Sequence, residues 1–396
     1  MQRNICQFMT RLLVATFGYA LSSSQVLSQT SASTDSKTML DPAPMISPRA
    51  NGVSGALSTS ADNFDAFYYN PAGIGGQVYD GKSEKEPFVR QILFPKAAFT
   101  INENATKLNS EFSSSGATTN ASAGATIIKA HDQKRQYARA SLAPVGLFLG
   151  GLGIVPVIDQ QIAAIPKDTP TSDVEFRYRT FSGILVGSSF SDSKGYFSMG
   201  ASSTLGTYEE TYVTAPYVDI VDQQKRSDLE KANKKTYSAK GFNAGANIRT
   251  PHKLNPTLSL VARNMGGSRH QSTSGTGDPL IIKEDLTAGF GIAPSLGKFA
   301  RLNFSLECGY LTDKHQATKK KLRSGLELTL GRESGSRALF GLRAGGTSAG
   351  ASYGAHLNLG LIGIEASSYA VDIGLDNERL VERRTSAAVY IDVASF

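Results

Sequence analysis

Residues able to do covalent or metal chemistry are thinly spread in this chain. The five histidines stand at 131, 252, 270, 315 and 356, with no ligand pair among them. There is no His-Glu-x-x-His. "GGTSAG" (Gly345–Gly350) is glycine-rich, but it separates two alternating segments with no helix to follow, so it reads as a turn. The two cysteines, Cys6 and Cys308, exclude a disulfide framework and a thiolate metal cluster. The pattern therefore predicts no enzyme, no catalytic residue, no metal site and no cofactor. Only a convergence of these side chains in the folded chain would supply a catalytic centre.

One stretch has a different chemistry, that of apolar binding. "DNFDAFYYNPAGIGG" (Asp62–Gly76) sets Phe67, Tyr68 and Tyr69 directly before a turn. Asn70-Pro71 initiates that turn, and Ala72-Gly73 completes it. Three adjacent aromatics must pack against something. They anchor a segment inside a fold, or they touch an apolar ligand, and both readings stay open. The expected plug or ligand-binding element is Phe67, Tyr68, Tyr69, Asn70, Pro71, Ala72 and Gly73, with Pro71 and Gly73 setting its shape.

The elements around it read in four parts. Residues 1–28 have Arg3 and Arg11 before an apolar run from Leu12 to Leu21, the pattern of a secretory signal peptide. That run is shorter than the ~20 residues of a spanning helix. Residues 29–48, rich in Ser, Thr, Asp and Pro, read as a flexible leader. Residues 49–87 carry the aromatic turn. From 88 to 396 the chain becomes a series of short segments with period-two alternation, the pattern of half-buried strands. In "RLNFSLECGYL", Leu302, Phe304, Leu306, Cys308 and Tyr310 share one face, and Arg301, Asn303, Ser305, Glu307 and Gly309 the other. "GFNAGANIR", "SGLELTLG" and "AHLNLG" behave alike, placing Asn243, Asn247, Glu327 and His356 on polar faces. Turn clusters such as "SDSKG" (191–195) and "ESGS" (333–336) separate the runs. The count is about fourteen strands. Residues 217–235 are charged and read as an excursion with a helix, and 102–135 as irregular. The 39 glycines fit a β-rich chain with many turns.

Fourteen alternating strands form either soluble sandwiches or a membrane barrel. A β-protein crosses lipid only as a closed ring, because every backbone polar group must be paired. Arg, Glu, Asn and His on the polar faces suit a wet or hydrogen-bonded lumen, with Arg301, Glu307 and Glu327 as an inner ion-pair ladder and His356 as a lining residue. The final strand ends on Phe396. Of its two phases, Val393, Ile391, Val389 and Ala387 is the cleaner apolar face, and the other would set Asp392 in lipid. Tyr and Phe must serve as interfacial girdles, because tryptophan is absent. The fold expected is all-β: a transmembrane antiparallel β-barrel with an N-terminal lumen plug, in the outer membrane. The formal charge of +7 has no aromatic-interleaved basic stripe behind it, which argues against nucleic acid. The local clusters at Lys319–Arg323 and Arg379–Arg384 suit loops facing anionic lipid headgroups.

"RANGVSGALSTSADNFDAFYYNPAGIGG" (Arg49–Gly76) resembles the N-terminal region of FadL-type outer-membrane transporters, and of the related PorV-type and conjugation-linked TraF-like barrels. A small-residue run, an Asp-containing turn, an aromatic pair and Asn-Pro-Ala follow one another there in the same order. "SLVARNMGG" (Ser259–Gly267) resembles a recurring strand-end Arg-Asn-Leu-Gly, with Met265 in the Leu place. The resemblance implies a fourteen-stranded barrel with an N-terminal hatch. It implies passive passage of hydrophobic small molecules such as long-chain fatty acids, with outer-membrane lipid and an apolar ligand as partners. The alternative it implies is a non-transporting partner protein of a secretion or conjugation system. The irregular region after Asn-Pro-Ala is shorter here than in the transporters.

Overall fold

A run of strands with one apolar and one polar face satisfies its edge hydrogen bonds either by stacking sheets or by closing on itself. The computed structural model of this protein describes residues 40–76, 89–115, 121–273, 279–297, 299–331, 338–374 and 379–394, and it shows closure. The strands are β1 (Val89–Asn102), β2 (Gln136–Ala143 continued by Gly146–Leu149), β3 (Leu152–Pro166), β4 (Asp173–Ser191), β5 (Phe197–Pro216), β6 (Lys234–Arg249) and β7 (Thr257–Arg263). They continue as β8 (Asp285–Ile292), β9 (Ala300–Cys308), β10 (Leu322–Leu330), β11 (Phe340–Thr347), β12 (Gly350–Leu359), β13 (Ile362–Asp372) and β14 (Val381–Ala394). The two pieces of β2 lie end to end between the same neighbours, so fifteen hydrogen-bonded segments make a ring of fourteen strands. Every neighbour is antiparallel, and β14 closes on β1 from Gln91↔Ala394 to Asn102↔Arg384.

Apolar side chains point outward. Leu306 is 47% exposed while Glu307, one residue on, is 1% exposed. Phe242, Ile248, Leu326, Leu357, Val389 and Ile391 lie on the same outer surface, whereas Asn243, Asn247, Glu327 and His356 are buried within. The last strand uses the cleaner phase, and Asp392 faces inward, where its carboxylate accepts from Gln91 Nε2 at 2.6 Å. Tyr212 and Tyr353 are exposed aromatics toward one end of the strands, and Phe190 and Phe299 toward the other. A closed ring with such a belt is a membrane-spanning barrel of the outer-membrane type.

The two ends differ. At one, tight turns such as Gly150–Gly151 and Gly360–Leu361 join the strands. At the other lie α3 (Glu103–Ser115), α4 (Ala121–Ala130), α5 (Tyr217–Val221), α6 (Gln223–Asn233) and α7 (Thr318–Lys321). Short turns mark the periplasmic end and long connections the extracellular end. Residues 102–135, read as irregular, hold α3 and α4; their Ser, Ala and Asn content hid the helices because it leaves no continuous apolar stripe. The wall is uneven: β4 has 19 residues and β5 has 20, against 7 in β7 and 8 in β8. Ile128, Val174 and Tyr217 form a small core where α4 and α5 cover the tall side.

Inside the ring runs the segment from Leu40 to Gly76, with α1 (Pro48–Gly52) and α2 (Asn63–Tyr69). Leu40, Met45 and Ile46 are buried, so the lumenal segment reaches N-terminal of Arg49 into the stretch read as leader. Residues 1–39 and 77–87, the "ESGS" stretch and Phe396 lie outside the described residues.

Candidate functional site: the lumen plug and its two walls

Helix α2 begins after Asp62 and stops because Pro71 excludes helical geometry from Asn70, which is extended at φ −164° and ψ 104°. Asn70 then caps the next turn. Its Oδ1 accepts from Ala72 N at 3.0 Å, opening the 3-10 turn Pro71–Gly73. Its Nδ2 donates to Ser58 O at 2.7 Å and to Asn247 Oδ1 on β6 at 2.8 Å. Asn70 is fully buried, and every hydrogen-bonding group of its amide is used.

The end of a helix leaves carbonyls without intrahelical partners, and here the barrel wall supplies donors. Phe67 O accepts from Ser202 Oγ at 2.5 Å and from Asn243 Nδ2 at 3.0 Å. Tyr68 O and Tyr69 O accept from Nε and Nη2 of Arg263 at 3.0 and 3.2 Å. The guanidinium is favoured at a helix C-terminus by the helix dipole, and Asp285 at 2.5 Å balances its charge. Arg263 lies in the strand-end "ARNMGG" run, which resemblance singled out without assigning it a task. Burial pushes the Tyr68 and Tyr69 hydroxyls up, so both stay neutral.

Close approach of plug to wall explains the glycines better than turns do. A side chain at Gly200 would run into Pro71 O, and one at Gly245 into Asn70 Oδ1. A Cβ at Gly153 would stand 2.7 Å from the Phe67 ring, and one at Gly325 2.8 Å from Val53. All four glycines face inward on their strands, which are not turns.

One side of the lumen is ionic. Arg49 of α1 donates through Nε and Nη2 to both carboxylate oxygens of Glu327 on β10, at 3.0 and 2.9 Å, and through Nη1 to Asp62 at 2.5 Å. Glu327 also accepts from Arg343 Nε on β11 at 2.8 Å. His356 accepts from Arg343 at Nδ1 and donates from Nε2 to Ala338 O, so it is a neutral lining residue. Further along, Lys96 stands 3.9 Å from Glu365 and 4.6 Å above the Phe64 ring. Near the loop end Asp41 pairs with Arg384 at 2.8 Å and Arg139 at 3.3 Å. Burial opposes the charge of Asp41, but these two guanidiniums outweigh it and hold the carboxyl well below the usual range. Of the expected ladder, Glu327 is a hub and Glu307 accepts from Ser58 N at 2.5 Å. Arg301 lies apart at the turn-side rim, bonded to Ser295.

The adjoining β1–β4 sector carries an apolar patch beside the buried Arg139–Asp159 pair at 2.8 Å. Leu93 on β1, Phe148 on β2, Val155 and Val157 on β3, and Phe181 and Leu185 on β4 are buried in one cluster with Phe67 and Ile74 of the plug. The Phe67 and Phe148 rings are 5.8 Å apart. Beside this cluster two strands are interrupted together. The β1 register shifts between Phe94 and Lys96, at Pro95, and β2 breaks at Pro144-Val145. Proline has no N–H to give to the ladder.

The structure thus brings all seven expected plug residues together inside the ring; six are buried, and Tyr69 is half-buried. The described histidines do not converge: His252 is at the turn end, His131 and His315 are at the loop end, His270 accepts from Lys240 N and packs on Tyr208, and His356 is in the lumen. A polar cavity of about 10 Å³ lies between Thr59 and Ser60 of the plug and Thr257 and Asn303 of the wall, room for one water.

No family model and no curated protein matches the sequence. Solved structures similar to this chain include a "TodX deltaS2S3 mutant monoaromatic hydrocarbon channel", with 10% identity, a TM-score of 0.49 and coverage of 88% of this chain and 98% of that one. The toluene transporter TbuX of Ralstonia pickettii has 9% identity, a TM-score of 0.44 and coverage of 87% and 98%. The CymD monoaromatic hydrocarbon channel has 10% identity, a TM-score of 0.40 and coverage of 88% and 97%.

Proposed function

We propose that this barrel is a passive route for hydrophobic small molecules, long-chain fatty acids among the candidates, through the outer membrane. One observation carries the reading: the apolar cluster around Phe67 and Phe148 adjoins the paired interruption of β1 and β2 at Pro95 and Pro144. An apolar solute gains nothing from an ion-paired lumen, but it gains from a sector of Leu, Val and Phe. In this reading the solute enters between plug and apolar wall, Phe67 yields, and the solute leaves through the lumen or sideways into the bilayer. Phe67, Tyr68, Tyr69, Asn70, Pro71, Ala72 and Gly73 form the moving or yielding element, held on its far side by Arg263 and Arg49.

A second reading has its own observation. The plug fills the lumen and is fixed by buried ion pairs, as suits a barrel that holds a protein partner of a secretion or conjugation system. Native mass spectrometry of protein extracted gently from outer membranes separates the two. A stoichiometric apolar molecule on the barrel supports passage; an empty barrel bound to another polypeptide overturns it in favour of the partner role.

A further inference from the structure

Charged side chains are expected on the inner face of a membrane barrel and are costly on the outer one. Adjacent arginines on β14 show the contrast. Arg384 points inward and is paired with Asp41 and Glu382. Arg383 points outward, in phase with Ala387 and Val389. Its Nε donates to Ser368 Oγ on β13 at 3.1 Å and its Nη1 to Ala351 O on β12 at 3.3 Å. Its guanidinium lies 4.9 Å above the ring of Tyr353, which is 56% exposed. Among the described residues no carboxylate stands within ion-pair distance of it. Glu103, the carboxylate within electrostatic reach, is paired with Lys107 at 2.7 Å.

An Arg on the lipid-side surface, oriented by three neighbours and with no ion-pair partner among the described residues, is poised for an anion. Its height names the source. It is the third residue of β14 from the loop end, and Tyr353 is the fourth of β12. Tyr at such a level marks the membrane–water interface, where phosphate headgroups lie. Guanidinium is also the side-chain group best matched to phosphate. We propose that Arg383, stacked on Tyr353 and tethered to Ser368, binds the phosphate of an outer-leaflet lipid. The site rests on the reading that the barrel spans a bilayer with its long loops outward, and it is independent of what passes through the lumen.

The test compares wild type, R383Q and R383K, each confirmed as folded by heat-modifiable migration and by insertion into vesicles. Native mass spectrometry then measures retention of a bisphosphorylated lipid A, its dephosphorylated analogue and inorganic phosphate. Wild type should retain the phosphorylated lipid about fivefold better than R383Q, the worth of one interfacial cation. R383K should fall between, keeping the charge without the stacked fork, and the dephosphorylated lipid should bind all three alike. Equal retention by wild type and R383Q would overturn the site. Displacement of the lipid by millimolar inorganic phosphate would reassign it to free phosphate. Failure of wild type to enter vesicles would instead overturn the bilayer reading on which the site depends.

Discussion

The two walls of the lumen hold the same plug by different physics. On the β10–β14 side, Arg49 and Asp41 meet Glu327 and Arg384 in buried pairs. Such pairs work only in one geometry, and removing one partner strands the other charge. On the β1–β4 side, Phe67 and Ile74 lie against Phe148, Val155 and Leu185. Those contacts are non-directional, and an apolar solute can take their place. The ionic wall therefore fixes where the plug sits, while the apolar wall leaves a surface along which it can part. Position and permeability are assigned to adjoining sectors of one ring.

This contrast can be broken at several points. Deleting Asp62–Gly76 removes the plug's contacts with the apolar wall, Asn247 and Arg263 while leaving Arg49 on Glu327 and Asp41 on Arg384, and planar-bilayer conductance should rise most; unchanged conductance would mean that these residues do not block the lumen. Next comes Glu327→Ala, which leaves Arg49 and Arg343 buried without their carboxylate. It should destabilise the barrel by about 3–5 kcal/mol, measured as a lowered unfolding midpoint in denaturant. Gly245→Ala pushes a methyl into Asn70 and should cost about 1–3 kcal/mol, accompanied by faster hydrogen exchange at Ala72. Smallest is Phe67→Leu on the apolar wall, at under about 1.5 kcal/mol, with entry of an apolar fluorophore into proteoliposomes held or increased. A Phe67 variant as damaging as the Glu327 one would erase the distinction between the walls.

The strand plan was legible because a barrel wall writes its two environments into alternate residues. The outward row of Leu326, Leu328 and Leu330 and the inward Glu327 and Thr329 can be read without knowing any partner. The plug was legible for a related reason: three aromatics before Asn-Pro have no place in water. What stayed hidden depends on pairing between distant segments. Arg49 sits in a run of small residues, and only closure of the ring brings Glu327, 278 positions away, to its guanidinium. Arg263 was noticed by resemblance, but its task follows from where α2 ends. The glycine count pointed to turns, whereas at Gly200, Gly245 and Gly325 a missing side chain makes room for the plug, which composition does not tell. The division into an ionic and an apolar sector is a property of the closed ring, visible only once β14 pairs with β1 and sets β10–β14 beside β1–β4.

The path of the plug also bears on how the molecule is made. Asp41 is held near the loop end, by Arg384 and Arg139, whereas Gly75 donates to Ser189 beside the turn end. The segment thus runs through the lumen almost from mouth to mouth before β1 begins, and its ion pairs reach strands from both ends of the chain. Closing β14 on β1 brings Arg384 to Asp41 in the same event that completes the ladder. Strand number and register set the diameter of the ring; the plug acts as a clasp, since one of its carboxylates joins the first part of the ladder to the last.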